Sequence, residues 1–283
     1  MPDIDALKSK VTGDIRVLNR QLLKVSQELE KKLRQHEISR TPPGRILHGI
    51  FNKAVRTFHG IETLKREGLV EEGWVLLRVL LESHVNFVYF VQHEPKDMVQ
   101  RWLDTMILDK LKYLREVDFF EGSALEPMFR ETNYLKTEAE IVKRFSPEDL
   151  KALRRNGFSG LNFEARAKAV NLGSMYTNCY RIASRNVHTF DPAESLLYDA
   201  DILPAAMKKE LVTRRRATLE SSQNMLMGRV AYLVDAVVEH PFTIELIKIG
   251  IGYEKFRDKT PVDVSADTKL EAVKTDDLYI WRE

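Results

Sequence analysis

Between Cys179 and Pro192 the chain reads CYRIASRNVHTFDP, and four of its side chains are of types that handle protons and phosphate esters. At about 100° per helical residue, Arg181, Ser184, Arg185 and His188 fall along one stripe, flanked by Tyr180 and Asn186. An imidazole that exchanges protons near neutral pH, beside a permanently charged guanidinium, is what cleavage of a phosphate ester requires. The same residues carry a second reading. His188 falls in the last turn before Asp191-Pro192, where unpaired carbonyls and the negative end of the helix dipole favour a cation. There His188 and Arg185 would tie down a helix end and do no chemistry. Cys179 faces the opposite side with Ile182, Ala183 and Val187, and reads as a small buried hydrophobe rather than a nucleophile.

A second polar pair stands inside the apolar stretch WVLLRVLLESHVNFVYFV, residues 74–91, where Arg78 and Glu82 are four apart. Charges set in a run this apolar are usually paired, because a lone one costs several kcal/mol. They read as a structural ion pair, or as a second wall of a polar site that faces Arg181 and His188 across a helical core. No HExxH or Cys/His spacing that holds a metal is present, so no metal and no cofactor is expected.

The elements that must position these residues are helical throughout. From Ile4 to Leu33 apolar residues step by three or four, predicting one long, straight amphipathic helix that Pro42-Pro43-Gly44 ends. Residues 45–66 continue the helical period, and residues 68–92 give the most apolar helix, expected at the centre. Along residues 96–117, Met98, Trp102, Met106, Leu108 and Leu111 share a face. After a turn region at 121–127, residues 128–145 read as a polar helix. Ser146-Pro147-Glu148-Asp149 caps the next helix, Asn156-Gly157 stops it, and Asn162 opens another. Gly173-Ser174 breaks and recaps the chain before the helix that carries the opening motif. Residues 201–239 form a last amphipathic helix with Leu211, Leu219, Met225, Val230, Leu233 and Val237 among its apolar positions, closed by His240-Pro241. Strand alternation and hairpin signals are lacking, so the chain is predicted to be all-α, a helical bundle with a long N-terminal helix and a loosely ordered C-terminal tail.

The chain has 283 residues, 43% hydrophobic and 30% charged, with a net charge of +2, which excludes wholesale disorder and any global attraction to nucleic acid or anionic lipid. Any such binding is local, and two basic runs qualify as patches or as ordinary solvated faces. One comprises Lys208, Lys209 and Arg214-Arg215-Arg216; the other Lys151, Arg154 and Arg155. One cysteine, no apolar leader in MPDIDALKSK and a longest apolar stretch broken by Arg78, Glu82, His84 and Asn86 point to a cytoplasmic protein with no membrane partner.

The segment Arg181-Ile-Ala-Ser-Arg-Asn-Val-His188 resembles the Arg-x(4 to 6)-His motif of HEPN domains, all-helical proteins common in bacterial toxin and antiphage systems. The combination of Arg78-x-x-x-Glu82 with Tyr180-Arg181-x-x-Ser184-x-x-x-His188 is similar to that of uncharacterised bacterial helical proteins related to HEPN domains. The resemblance implies a HEPN-like bundle over residues 45–255, between a helical arm at 1–40 and a tail at 256–283. It implies metal-independent RNA cleavage, with His188 as general acid or base and Arg181 stabilising charge on phosphorus. Ser184, Arg185, Asn186, Tyr180, Arg78 and Glu82 would support them, in a homodimer whose two motif helices meet. HEPN ribonucleases usually carry Asn, Asp or His after the arginine, and here Ile182 stands in that place. The alternative is a non-catalytic helical scaffold that binds a protein partner through its N-terminal helix, with both polar clusters structural.

Overall fold

A computed structural model describes residues 9, 11–93, 95–116, 134–181, 183–184 and 204–259. Every regular element among them is helical, and the chain is an all-α bundle. Helix α1 spans Ile15–Gln35, a single 3-10 turn Glu37–Arg40 follows, and α2 spans Pro42–Arg66. Then come α3 (Val70–Val91), α4 (Pro95–Glu116), α5 (Tyr134–Arg144), α6 (Pro147–Asn156) and α7 (Phe163–Ala169). The short α8 (Gly173–Met175) runs into a π turn, Tyr176–Tyr180, and the long α9 (Ala205–Val237) and α10 (Thr243–Arg257) complete the bundle.

Helix α1 starts later than its apolar spacing predicts, after a break that follows the helical Ser9. Residues 11–14 are not helical, and Asp14 caps α1 by accepting the Arg16 amide at 2.9 Å. A side-chain cap satisfies one of the four free amides at a helix start, and here it outweighs the periodicity that continues through Val11. The other end also differs. Pro42 and Pro43 do not stop α1 but open α2, behind Thr41, whose hydroxyl accepts the Gly44 amide at 3.2 Å. Proline is tolerated in a first helical turn, where its missing N–H would have no partner anyway. Gly44 lets this corner close, since a Cβ there would overlap the Ile38 carbonyl.

Helix α3 is central. It packs on α2, α9, α7 and the π turn, and Trp74, Leu77, Leu81, Phe87 and Phe90 are buried along it. By length and composition alone α3 could cross a membrane, but its apolar window is 67% buried within the fold. On α4 the expected face is partly misassigned: Met98, Leu108 and Leu111 are buried, whereas Met106 is 45% exposed. Leu108 belongs to a small second core with Ile141, Leu150 and Leu153, so α4 bridges two clusters, and one period cannot face both. Likewise Leu211 is exposed and Leu219, Met225, Val230 and Leu233 are buried, so only the later part of α9 enters the core. The caps at Ser146, Gly157 and Asn162 stand where the sequence puts them.

Helix α10 was not read from the sequence. Gly252 explains how closely it packs: a Cβ would come within 2.5 Å of Leu18 and 2.6 Å of the Thr12 carbonyl. Asp235 forms the corner before it, accepting the Phe242 amide at 2.8 Å and the Thr243 hydroxyl at 2.6 Å. The expected turn at 121–127 and the tail beyond 259 lie outside the described residues. Half of the residues in the basic runs are seen in ion pairs: Arg214 with Glu210, Arg215 with Glu71, Arg216 with Glu220, and Arg154 with Glu138.

A buried polar seam joins α1, α2 and α9. The Glu62 carboxylate accepts from Lys65 at 2.5 Å, from Asn19 at 3.1 Å and from Gln223, while Asn224 donates to Asn19 at 2.7 Å. Removing the carboxylate leaves two buried amides without this acceptor and the buried Lys65 ammonium with only the longer Glu220 contact at 3.5 Å. Glu62→Ala is therefore expected to lower stability by about 3–5 kcal/mol in urea unfolding, the cost of breaking a buried pair from one side. A second buried group sets the acid limb. His84 donates from Nδ1 to the Leu226 carbonyl at 3.0 Å, and its Nε2 has no partner. Burial and the Arg229 charge push its pKa down to about 3. The unfolded chain then binds the extra proton between pH 6.5 and about 3, so stability falls as pH drops through that window. The limiting slope is about 1.4 kcal/mol per pH unit. Urea midpoints measured against pH should show this slope, and His84→Gln should flatten it.

Candidate functional site

On α3, Arg78, Glu82 and Asn86 recur every fourth residue, which puts three polar side chains on one stripe of an otherwise apolar helix. Each is satisfied by a later part of the chain or by its neighbour. Arg78 Nε donates to Glu82 at 3.1 Å, its Nη1 donates to the Ser184 hydroxyl at 3.3 Å, and its guanidinium lies 4.7 Å from the centre of the Tyr180 ring. Asn86 accepts from Arg166 Nη1. Both members of the Arg78–Glu82 pair are half-buried, with side chains 26% and 33% exposed. This pairing is the one the spacing predicts, and it does meet the motif segment.

The motif segment differs from a plain α-helix. The Arg181 amide donates to the Tyr176 carbonyl, five residues back, so residues 176–180 form a π turn. Such turns insert one extra residue and shift every later side chain around the axis. Tyr176 and Tyr180 stack at 5.1 Å, and Phe163 of α7 lies 4.5 Å from Tyr180. Tyr180 therefore sits between an aromatic ledge and the Arg78 cation. Its phenol is pushed up in pKa by burial and by the neighbouring Glu82 carboxylate, with Arg78 opposing.

Ser184 and Arg181 do not present themselves alike. Ser184 is half-buried against Arg78, whereas Arg181 is exposed and its side chain forms no hydrogen bond or ion pair among the described residues. Glu164 is close enough to feel the Arg181 charge, but its own partner is Lys168 at 2.7 Å. Among the described residues, Arg181 is thus the cation of the segment left to meet an anion, whereas Arg78 of α3 is already engaged. Arg185, Asn186 and His188 lie outside the described residues. Cys179 is buried as the sequence reading has it. Its Sγ lies 3.3 Å from the Ser222 hydroxyl, and burial pushes its pKa up to about 11, which suits a packing residue and not a nucleophile.

Sequence reasoning missed Arg166. It is buried, donates from Nη2 to the Asn156 and Leu161 carbonyls at 3.0 and 3.2 Å, and lies 5.3 Å from the Phe158 ring. Through Asn86 it fixes α7 on α3, and α7 carries the Phe163 edge of the aromatic ledge. Its signal was faint, an arginine in a seven-residue helix, and its partners are up to eighty residues away. Among the described residues no group of three or more His, Cys, Asp or Glu side chains could hold a metal.

Residues 44–197, more than half of the chain, match the family described as Family of unknown function (DUF5677). The chain belongs to this family. The matched span contains Arg78, Glu82, Arg166 and the whole stretch from Tyr180 to His188, whereas α1, α9 and α10 lie outside it. The family therefore covers both walls of the polar cluster. No curated protein matches the chain, and no solved structure does.

Arg78 holds the two walls together, so its removal has a local signature. Arg78→Met is expected to lower stability by about 1–2 kcal/mol, the worth of a charge-assisted hydrogen bond discounted for partial exposure. Amide hydrogen exchange should rise across residues 173–181 and stay unchanged in α10.

Proposed function

We propose that the chain is a metal-independent ribonuclease of HEPN type, acting in the cytoplasm as a toxin or antiphage effector. The observation that carries this reading is the exposure of Arg181 directly after a π turn, beside a half-buried Arg78–Glu82 pair that reaches Tyr180 and Ser184. In this reading Arg181 stabilises the charge that develops on phosphorus, and His188 exchanges protons with the ribose 2′-OH and the leaving oxygen. Tyr180 and Ser184 hold the segment on α3, and Arg78 and Glu82 are positioning residues. Arg185 and Asn186 supply further polar contacts to the phosphate. Two protomers bring their motif segments together as a homodimer, and RNA is the substrate.

The alternative, a scaffold that binds a protein partner through its N-terminal helix, is favoured by one feature. Arg78, Glu82 and Asn86 satisfy each other and their neighbours internally, as a purely structural cluster does. Cleavage separates the two. Purified wild-type protein with a chelator should cut RNA, and His188→Ala and Arg181→Ala should each slow cutting by about 10²-fold or more while leaving Tm unchanged. Intact RNA with the wild type, or equal cutting by the variants, overturns the nuclease reading in favour of the scaffold.

A further inference from the structure

A second polar feature lies away from the motif segment. Between α1, the C-terminal end of α2 and α9 there is a cleft of about 670 Å³. Six of its lining side chains are cationic and two are carboxylates, in a chain whose net charge is only +2. The two carboxylates are the ones already neutralised at the floor. Glu62 binds Lys65, whose side chain is 3% exposed, and Glu220 binds Lys65 at 3.5 Å and Arg216 at 3.3 Å. The remaining cations are Arg16, Arg20, Lys24 and Arg66, all exposed and none in an ion pair among the described residues. Arg16, Arg20 and Lys24 recur every fourth residue on α1, a row with about 6 Å between successive positions. Arg66 sits on the opposite wall, where its Nε donates to the Glu62 carbonyl at 3.2 Å and its Nη2 to the Thr63 hydroxyl at 3.3 Å. Those bonds fix the guanidinium and leave its charge uncompensated.

Four cations that form no ion pair among the described residues and face one concavity attract a ligand with several adjacent negative charges, and guanidinium forks match phosphate oxygens. The cleft is of the size that encloses a small molecule rather than a macromolecular surface. Among the described residues no aromatic side chain lines it to give a platform for stacking a base. Recognition rests on the phosphates. We infer that this cleft binds a compact oligophosphate, a ligand carrying at least two linked phosphate groups, between the Arg16-Arg20-Lys24 row and Arg66. This site is independent of the nuclease reading, and its ligand regulates or stabilises the α1–α2–α9 junction rather than reacting there.

Calorimetric titration tests it, with inorganic tripolyphosphate as probe and orthophosphate as comparison at fixed ionic strength. Tripolyphosphate should bind saturably, raise Tm, and bind at least about tenfold tighter than orthophosphate, the effect of one further charge-assisted contact. The double variant Arg20→Glu with Arg66→Glu should lose binding by about tenfold or more while its ligand-free Tm stays within a few degrees of wild type. A control variant, Lys53→Glu with Arg56→Glu, reverses two exposed cations on α2 outside the cleft and should bind normally. Absence of saturable binding, equal binding by the cleft variant, or equal loss in the control overturns the site. A ten-nucleotide RNA that displaces tripolyphosphate and binds more tightly, with the same loss in the cleft variant, overturns the assignment to a compact ligand.

Discussion

The Glu62 carboxylate is the constraint on which the rest of the bundle depends. It is buried, and it satisfies one donor from each of the three helices around it: Lys65 on its own helix α2, Asn19 on α1 and Gln223 on α9. An apolar seam would tolerate sliding between these helices, since burial has no direction. A buried carboxylate does not tolerate it, because a displaced donor becomes an unsatisfied group in low dielectric. The seam thus sets the register of α1 and α9 on α2. Helix α3 packs against both α2 and α9, so its rotation follows from theirs. That rotation turns Arg78, Glu82 and Asn86 toward α7 and the π turn and not toward the core. A carboxylate in the seam therefore decides where a polar stripe several turns away points.

The same seam separates two kinds of cation. Lys65 and Arg216 are held against Glu62 and Glu220, and Arg78 is held against Glu82, so these charges are spent in the fold. Arg16, Arg20, Lys24 and Arg66 at the cleft, and Arg181 after the π turn, have no such partner among the described residues. The small net charge of the chain conceals this division, because pairing is local and the balance of charges is a sum. Where an arginine is engaged through both its guanidinium edge and an aromatic face, as Arg78 is with Glu82 and Tyr180, it acts as a brace.

Much of the bundle was legible in the sequence because local rules govern it. Caps at Ser146 and Asn162, the stop at Gly157 and the apolar run of α3 involve residues within a few positions of one another, and the structure follows them. The Arg78–Glu82 pair was legible for the same reason, as was the burial of Cys179. What escaped depends on distant partners. Arg78 reaches Ser184 across a separation of 106 residues, and Asn224 reaches Asn19 across 205. The start of α1 turned on whether Asp14 or the apolar period would win. Pro42-Pro43 reads equally as a stop or a start until Thr41 is seen to cap. Helix α10 has apolar residues on several sides, and its two glycines blunt the helical signal that burial between α1 and α9 later supplies.

The π turn was the least legible feature and the one with most bearing on the site. A stripe drawn at one constant angle from Met175 to His188 assumes an unbroken α-helix, whereas the Arg181 amide bonds five residues back. The shift falls immediately before Arg181, so residues ahead of it and residues after it belong to two different helical registers. Tyr176 and Tyr180 stay with the aromatic ledge of α7, while Ser184 turns to α3 and Arg181 to solvent. Tyr180 and Ser184 nonetheless meet the same guanidinium, that of Arg78, one through its ring and the other through its hydroxyl. The backbone at Arg181 is thus clamped on both sides, by the contacts of Tyr180 before it and of Ser184 after it. An exposed arginine on a clamped backbone loses less freedom when it meets an anion than one on a mobile segment.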